Sequence, residues 1–140
     1  MLQKRTGTRD IQVYVAEQDG EVVGALAAAR YVSPLQGYDA ELFAIYLLDR
    51  AQGQGLGTAL LRKLAESLSA KGSKGMTVCV LERNPAIHFY EKLGAALVNA
   101  KEIEIGGVLL QEVAFAWPDL AKLACPSSWV WIISGLPTSM

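Results

Sequence analysis

The stretch IYLLDRAQGQGLGTALL, residues 45–61, joins an apolar run to a glycine-rich loop and then to a helical pattern. Three glycines within five residues, Gly53, Gly55 and Gly57, let the backbone adopt positive φ angles and approach a ligand closely. The helix that follows begins with N–H groups that have no intrahelical acceptor, at the positive end of its dipole. Strand, loop and helix together predict a phosphate cradle built from backbone amides.

Two better-known phosphate loops do not fit this stretch. A dinucleotide fingerprint G-x-G-x-x-G that starts at Gly55 would need glycine where Leu60 stands. A P-loop would need lysine after its last glycine, whereas Gly57 is followed by Thr58 and Ala59. A glycine-rich turn that binds nothing stays open as an alternative, so the rest of the chain has to decide.

The composition predicts a single globular domain and disfavours one class of partner. Of 140 residues, 51% are hydrophobic and 19% are charged, which provides enough apolar surface for one core. Thirteen basic and fourteen acidic side chains give a net charge of −1, without the basic footprint of a nucleic-acid binder. We therefore expect no nucleic-acid partner, and we expect backbone amides to do much of any anion binding.

Membrane, export and metal-binding classes are disfavoured as well. No apolar run reaches the ~20 residues that span a bilayer, and the basic residues near the N-terminus have no apolar segment behind them. Cys79 and Cys125 lie far apart and His88 is the only histidine, so we expect no metal site. Isolated cysteines without an export signal are more often reduced and buried, and the cytoplasm is the expected compartment.

Hydrophobic periodicity predicts an α/β fold in the order β-β-β-α-β-α-β-β, a mixed sheet with helices. Leucines at three- and four-residue spacings from Leu60 to Leu68 form one stripe of the first helix, which starts at Leu56. The segments 42–48 and 76–81 are almost wholly apolar, which predicts strands covered on both faces and places Cys79 in the core. The remaining expected elements are strands at 11–15, 22–32, 97–105 and 108–117, a break at 33–37 and a helix after Asn84-Pro85.

Two segments resemble motifs of one enzyme family. Residues 45–61 resemble motif A of the GCN5-related N-acetyltransferases (GNAT), whose core is Q/R-x-x-G-x-G/A. Residues 81–95, LERNPAIHFYEKLGA, are similar to motif B of the same family, with its asparagine, its F-Y pair and its K-L-G run. The resemblance runs over residues 11–120 and implies a GNAT-like, mostly antiparallel sheet flanked by helices.

The resemblance implies acetyl-CoA as cofactor, with its thioester in a gap where the strands at 42–48 and 77–81 part. Tyr90 matches the tyrosine that commonly protonates the departing thiolate, and a core aromatic is its alternative role. Glu41 matches a carboxylate that often serves as base, and a solvated charge at the strand end is its alternative role. The implied cofactor contacts are Ile45, Tyr46, Leu47, Gln52, Gly53, Gln54, Gly55, Leu56, Gly57, Thr58 and Asn84.

The resemblance also implies a shortened front end. The family places a strand and two helices ahead of the hairpin near Ile11, where this chain has ten residues. We expect one acetyl-CoA-binding domain over residues 1–122 and an apolar tail over residues 123–140. The β-branched and aromatic run Trp129–Ile133 in that tail suggests an extra strand or a dimer contact that covers an exposed sheet edge.

These expectations describe an N-acetyltransferase that moves acetyl from acetyl-CoA to a primary amine by direct attack. The acceptor is a small molecule or a peptide, no membrane partner is expected, and the tail suggests a homodimer. A non-catalytic acyl-CoA-binding or regulatory module is the alternative, and an interaction protein that uses the apolar tail is a third. His88 is expected at the surface or in packing, because it lies two residues from Tyr90 on another helix face.

Overall fold

The computed structural model describes residues 9–35 and 38–124, in which six strands and two helices follow one another in the expected order and a short third helix follows the last strand. The strands are β1 (Arg9–Gln18), β2 (Glu21–Leu35), β3 (Tyr38–Leu47), β4 (Met76–Leu81), β5 (Ala96–Ile105) and β6 (Val108–Trp117). The helices are α1 (Leu56–Ala70), α2 (Ala86–Lys92) and α3 (Leu120–Leu123), with a 3-10 turn at Asp49–Ala51. The order β-β-β-α-β-α-β-β is confirmed, and the expected tail strand falls in residues 125–140, outside the described residues.

The strands form one mixed sheet in the order β1-β2-β3-β4-β6-β5. Neighbours are antiparallel except β3 and β4, and α1 supplies the crossover that a parallel pair needs. The β1–β2 hairpin turns at Asp19 and Gly20, whose φ angles are 52° and 80°. Positive φ at both central residues is typical of a type I′ turn, whose twist matches the right-handed twist of the two strands. The hairpin that the sequence predicted is therefore confirmed.

The expected break at residues 33–37 is wrong for residues 33–35. β2 continues to Leu35, which pairs with Tyr38 of β3, but the register between the strands is irregular from Arg30 to Leu35. Pro34 has no N–H to donate to the ladder, so its place is an irregular stretch of strand rather than a loop.

The core lies on one face of the sheet, beneath α1, α2 and α3. Leu60, Leu61, Leu64 and Leu68 of α1 are fully buried, which confirms the predicted stripe. They pack in one cluster with residues of β3, β4, α2 and α3. None of the helices in the described ranges is long and apolar enough to cross a membrane.

The face of the sheet opposite the helices is not covered, so the expectation that β3 and β4 are covered on both faces is wrong. Leu42 and Val78 are 1% exposed, but Tyr46 is 61% exposed and Leu81 36%. The described helices all pack on the core side, and successive side chains of a strand point to opposite faces. Alternate residues of β3 and β4 therefore face outward. We call this surface, with Glu41, Tyr46, Cys79, Leu81 and Glu112, the open face.

Gly24 of β2 sets the position of Leu47 and yields a testable prediction. A Cβ atom on Gly24 would lie 2.5 Å from Leu47 Cδ2 and 3.0 Å from the Tyr46 carbonyl oxygen. We expect Gly24→Ala to lower the free energy of unfolding by about 1–3 kcal/mol, because the added methyl overpacks this contact. Urea unfolding measures the loss, and Leu47→Ala provides the control background. In the Leu47→Ala background, Gly24→Ala should lower the free energy of unfolding by less, because the crowded side chain is gone. An equal loss in both backgrounds would show that the contact with Leu47 is not the cause.

Candidate active site

β3 and β4 lie side by side over three residue pairs and then part. The pairs are Ala40–Met76, Glu41–Thr77 and Leu42–Val78. Beyond them, β3 continues to pair with β2 and β4 continues to pair with β6. The described strands therefore open a gap at the carboxyl end of the parallel pair, where the sequence resemblance places one.

A bulge in β3 accompanies the parting. Ala27 and Ala28 are consecutive in β2, but their partners in β3 are Ala44 and Leu42. β3 thus advances two residues where β2 advances one, which bends a strand and increases its twist. The bulge directly follows Leu42, the last residue of β3 that pairs with β4 among the described residues.

The glycine-rich loop leads from β3 into the uncapped start of α1. Gly53 and Gly55 have φ angles of 78° and 82°, in the left-handed region that favours glycine. Gly55 is the N-cap residue and no side chain caps the helix, so the first amides have no intrahelical acceptor. The side chains of Gln52 and Gln54 turn back on the loop, where their Nε2 atoms donate to the carbonyls of Leu47 (3.3 Å) and Arg50 (2.9 Å).

A cavity of about 830 Å³ lies between the end of β3, this loop, α1 and α2. Eight of the eleven sequence-predicted cofactor residues line it: Ile45, Leu47, Gln52, Gly53, Gly55, Gly57, Thr58 and Asn84. The other three do not. The Tyr46 side chain lies on the open face, Leu56 is buried in the core, and the Gln54 side chain bonds with Gln18 and Arg50. Their predicted contacts through backbone groups stay predictions.

Sequence reasoning missed the cavity's other lining residues, which come from α1 and α2. These are Arg62, Pro85, Ala86, Phe89, Lys92 and Leu93. Helical spacing could have found them: Arg62 is four residues after Thr58, and Lys92 is three after Phe89, so each pair shares a helix face. The Arg62 side chain also donates from Nη1 to the Leu123 carbonyl at 2.9 Å, which ties α1 to the end of α3.

Tyr90 lies on the core side of the sheet and is 3% exposed. Its ring meets the Trp117 ring edge-on, with centroids 5.7 Å apart, and lies at the same distance from the Phe89 ring. Burial raises the pKa of the Tyr90 phenol above its ordinary value. The alternative role as a core aromatic is thus present in the structure. The role of Tyr90 as proton donor stays a prediction. Tyr90 is adjacent in sequence to Phe89, which lines the cavity.

Glu41 lies on the open face, so the structure does not place it on the same side of the sheet as Tyr90. It belongs to the last stretch of β3 that pairs with β4, directly before the gap. Its side chain is half-buried. The base and acid roles implied by the resemblance would therefore act from opposite sides of the opening.

Cys79 corrects one sequence expectation, because it is exposed on the open face rather than buried in the core. It follows Val78, whose side chain points into the core, and alternation turns the thiol outward. Partial burial raises the pKa of Cys79, and the charges of Glu112 and Glu41 raise it further, against the opposing charge of Lys101. The thiol is therefore protonated at neutral pH. His88 is exposed, within the expectation of a surface or packing role.

Asn84 starts α2 at the cavity wall. Its Oδ1 atom accepts the N–H of Ala86 at 2.8 Å, and its carbonyl accepts the N–H of Ile87 at 3.1 Å. Pro85 follows with a φ of −65°, which is already suited to a helix. The N-cap role is thus present, and the side chain also lines the cavity.

Comparison with known proteins gives a consistent family assignment. The profile of the acetyltransferase (GNAT) family matches residues 2–95. The uncharacterised N-acetyltransferase YuaI of Bacillus subtilis (strain 168) is 46% identical over 112 residues, which are 79% of this chain and 65% of that protein. This chain thus spans slightly less than two thirds of that relative's length.

Solved structures show the same fold at low sequence identity. An N-acetyltransferase from Staphylococcus aureus Mu50 matches with a TM-score of 0.62 and 22% identity, over 77% of this chain and 67% of that chain. A GNAT family acetyltransferase from Elizabethkingia anophelis, solved with acetyl-CoA bound, matches with a TM-score of 0.60 and 17% identity, over 76% of this chain and 74% of that chain.

The Asn84 cap yields a second prediction. Asn84→Ala should lower the free energy of unfolding by about 0.5–2 kcal/mol, because the Ala86 N–H loses its acceptor. Asn84→Asp is the matched control, since it keeps an acceptor oxygen at the helix start and should retain most of the stability. Thermal and urea unfolding measure both variants, and an alanine variant as stable as the parent would show that the cap is dispensable.

Proposed function

The chain belongs to the acetyltransferase (GNAT) family, and on that premise we propose that it transfers acetyl from acetyl-CoA to a primary amine by direct attack. The observation that carries the proposal is the cavity between β3 and α2 that reaches the uncapped start of α1. Its position at the parted ends of two parallel strands suits a ligand that has an anionic part and a reacting end.

The residues around the cavity fit the chemistry of CoA. The uncapped first turn of α1 offers backbone N–H groups and a positive dipole end to a pyrophosphate. The edge of β3 beyond Leu42 pairs with no β4 residue among those described, so its backbone suits the amides of a pantetheine arm, in the manner of an added strand. Neither contact needs a charged side chain, which suits a chain of net charge −1.

Acetyl-CoA, when bound, supplies an acetyl group activated as a thioester. Glu41, directly before the gap, accepts a proton from the incoming ammonium, either itself or through a water, so that the amine becomes a nucleophile. The Tyr90 hydroxyl would hold the proton that the departing thiolate of CoA needs. The raised pKa of Tyr90 keeps the phenol protonated across the neutral range, which is the state that a proton donor needs.

The acceptor in this proposal is a small molecule or a peptide with a primary amine, and it approaches over the open face. The carboxylates of Glu41 and Glu112 on that face favour a cation. The cytoplasm is the proposed compartment, where reduced Cys79 and the cofactor would coexist.

Replacing the Tyr90 hydroxyl tests the proton donor. Tyr90→Phe should lower kcat by about 10²–10⁴-fold, because the departing sulfur loses its general acid. The phenylalanine ring keeps the packing against Trp117, so the melting temperature should change little. Thiol release with a panel of amines measures kcat, and equal rates for the parent and the variant would remove Tyr90 from this role.

The pH profile gives the same assignment an independent readout. A proton donor with a raised pKa loses its proton only above the ordinary tyrosine range, near pH ~10. Any fall in kcat that belongs to Tyr90 should therefore lie above that range in the parent and be absent in Tyr90→Phe. An alkaline fall that is identical in both proteins would contradict the assignment.

Replacing Glu41 tests the base and separates the enzyme from the non-catalytic alternative. Glu41→Gln should lower kcat by about 10²-fold or more, while acetyl-CoA binding measured by calorimetry stays unchanged. Glu66→Gln is the control, because Glu66 is an exposed carboxylate of α1 that does not line the cavity, and this variant should retain most of the turnover. Binding of acetyl-CoA without turnover on any amine would favour the acyl-CoA-binding module over the enzyme.

A further inference from the structure

The described part of the chain ends beside the cavity. α3 packs against α1, and the Leu123 carbonyl accepts a hydrogen bond from Arg62 Nη1 at 2.9 Å. Arg62 is also one of the residues that line the cavity, and Ala124 packs against the core. The segment that follows, residues 125–140, therefore starts at the cavity wall, on the helix side of the sheet.

Residues 125–140 have the composition of a segment that packs against protein. They include no charged side chain, and residues 129–133 (WVWII) are all β-branched or aromatic, which favours an extended strand. In such a strand Trp129, Trp131 and Ile133 share one face, and the two residues between them share the other. Both faces are thus apolar, as in a strand that is covered on both sides.

The gap presents the edge of β3 to any extended segment that reaches it. β3 continues through residues 44–47 beside β2, without a β4 partner among the described residues. At the end of this edge the Leu47 carbonyl accepts the exposed Gln52 side chain at 3.3 Å, a long bond that an incoming strand can replace. Backbone groups at an open strand edge pair readily with another strand. The side chains of Ile45 and Leu47 line the cavity, so an added strand finds apolar neighbours there.

The end of α3 is close enough to this edge. Gly57 of α1 lies against the end of β3, because a Cβ atom on Gly57 would be 3.2 Å from Leu47 Cδ1. Arg62 is five residues farther along α1, which is roughly 7–8 Å along the helix axis. Residues 125–128 can span up to about 13 Å when extended. They can therefore bring residue 129 to the carboxyl end of β3, from which a strand along the edge runs antiparallel to β3.

We propose that residues 129–133 pair as an added strand with residues 44–47 of β3 in the same chain and fill the gap until acetyl-CoA displaces them. This inference rests on the proposed function, which assigns the same edge to the pantetheine arm. The occupant is the chain's own segment, because residues 125–128 start at the cavity wall and are long enough to reach the edge. The segment and the cofactor thus exclude each other.

Mutual exclusion lowers the apparent affinity for the cofactor. Acetyl-CoA binds the fraction of molecules whose edge is open, and its apparent dissociation constant is the intrinsic one divided by that fraction. If roughly nine molecules in ten hold the segment in the gap, opening all of them raises the affinity about tenfold. A variant that cannot form the added strand should therefore bind acetyl-CoA more tightly than the parent.

Proline substitutions in the whole chain test the proposal by isothermal titration calorimetry with acetyl-CoA. Ile132→Pro and Ile133→Pro each remove one backbone N–H, and those of adjacent residues point to opposite sides of a strand, so one of the two must face β3. That variant should bind acetyl-CoA about tenfold more tightly than the parent. Ser139→Pro introduces the same residue beyond the proposed strand, so this matched control should bind within about twofold of the parent.

Tryptophan fluorescence reports the segment directly, without a measurement of activity. The chain has three tryptophans, of which Trp117 is 2% exposed in the core, so changes in quenching by acrylamide report Trp129 and Trp131. Saturating acetyl-CoA should increase quenching in the parent, because the displaced tryptophans enter solvent. The proline variant with the higher affinity should show the increased quenching before any ligand is added.

The outcomes distinguish this inference from the proposed function. Parent-like affinity and quenching in both proline variants would overturn the added strand and leave the acetyltransferase proposal intact. Absence of acetyl-CoA binding in every protein would overturn the proposed cofactor and the competition together. A gain in affinity that grows with protein concentration, in a dimer seen by size-exclusion chromatography, would assign the edge to the segment of a second copy and overturn pairing within one chain. Melting temperatures confirm that the compared proteins are folded.

Discussion

β3 and β4 run parallel, and two parallel neighbours cannot be joined by a tight turn. The chain must leave the carboxyl end of β3, cross the sheet and return at the amino end of β4, and α1 makes that crossing. The helix start therefore lies at the edge where β3 ends. α2 follows the carboxyl end of β4, so its capped start at Asn84 lies at this edge too. This one topological constraint brings the parted strands, the uncapped amides and the α2 wall around a single cavity, as ligands generally lie at the carboxyl ends of parallel strands.

The three glycines of the loop serve two physical requirements. Gly53 and Gly55 have positive φ angles, which let the backbone turn into the helix. Gly57 has ordinary helical φ, and its requirement is space: a Cβ there would lie 3.2 Å from Leu47 Cδ1 and 3.3 Å from Phe89 Cζ. Both contacted residues line the cavity, so Gly57 lets α1 approach the strand and α2 closely. Motif A thus combines backbone geometry for a ligand with the packing that closes the wall around it.

The sequence predicted the elements and the site loop because each depends on local patterns. The leucine stripe of α1, the Asp19-Gly20 turn and the Asn84-Pro85 helix start are short-range signals with a direct structural cause. The exposure of Tyr46 and Cys79 was not predictable in this way. An apolar strand segment shows that both faces tolerate apolar side chains, but which face is covered depends on where distant helices pack. Arg62 and Lys92 were missed for a related reason, since a lone cation on a helix gains meaning only when the opposite wall is known.

Burial of Tyr90 accounts for its packing role and suits the proton-donor role proposed for it. The ring is held by Trp117, whose Nε1 donates to the Leu93 carbonyl at 3.2 Å and so ties β6 to the end of α2. The same burial raises the pKa of the phenol and keeps its proton in place. Glu41, by contrast, lies on the open face, where a proton taken from an amine can pass to water after each turnover. The proposed acid is therefore sheltered and the proposed base is exposed, on opposite sides of one gap. That difference suits the two proposed roles, because a proton donor must hold its proton until it is needed, whereas a base must release its proton to solvent.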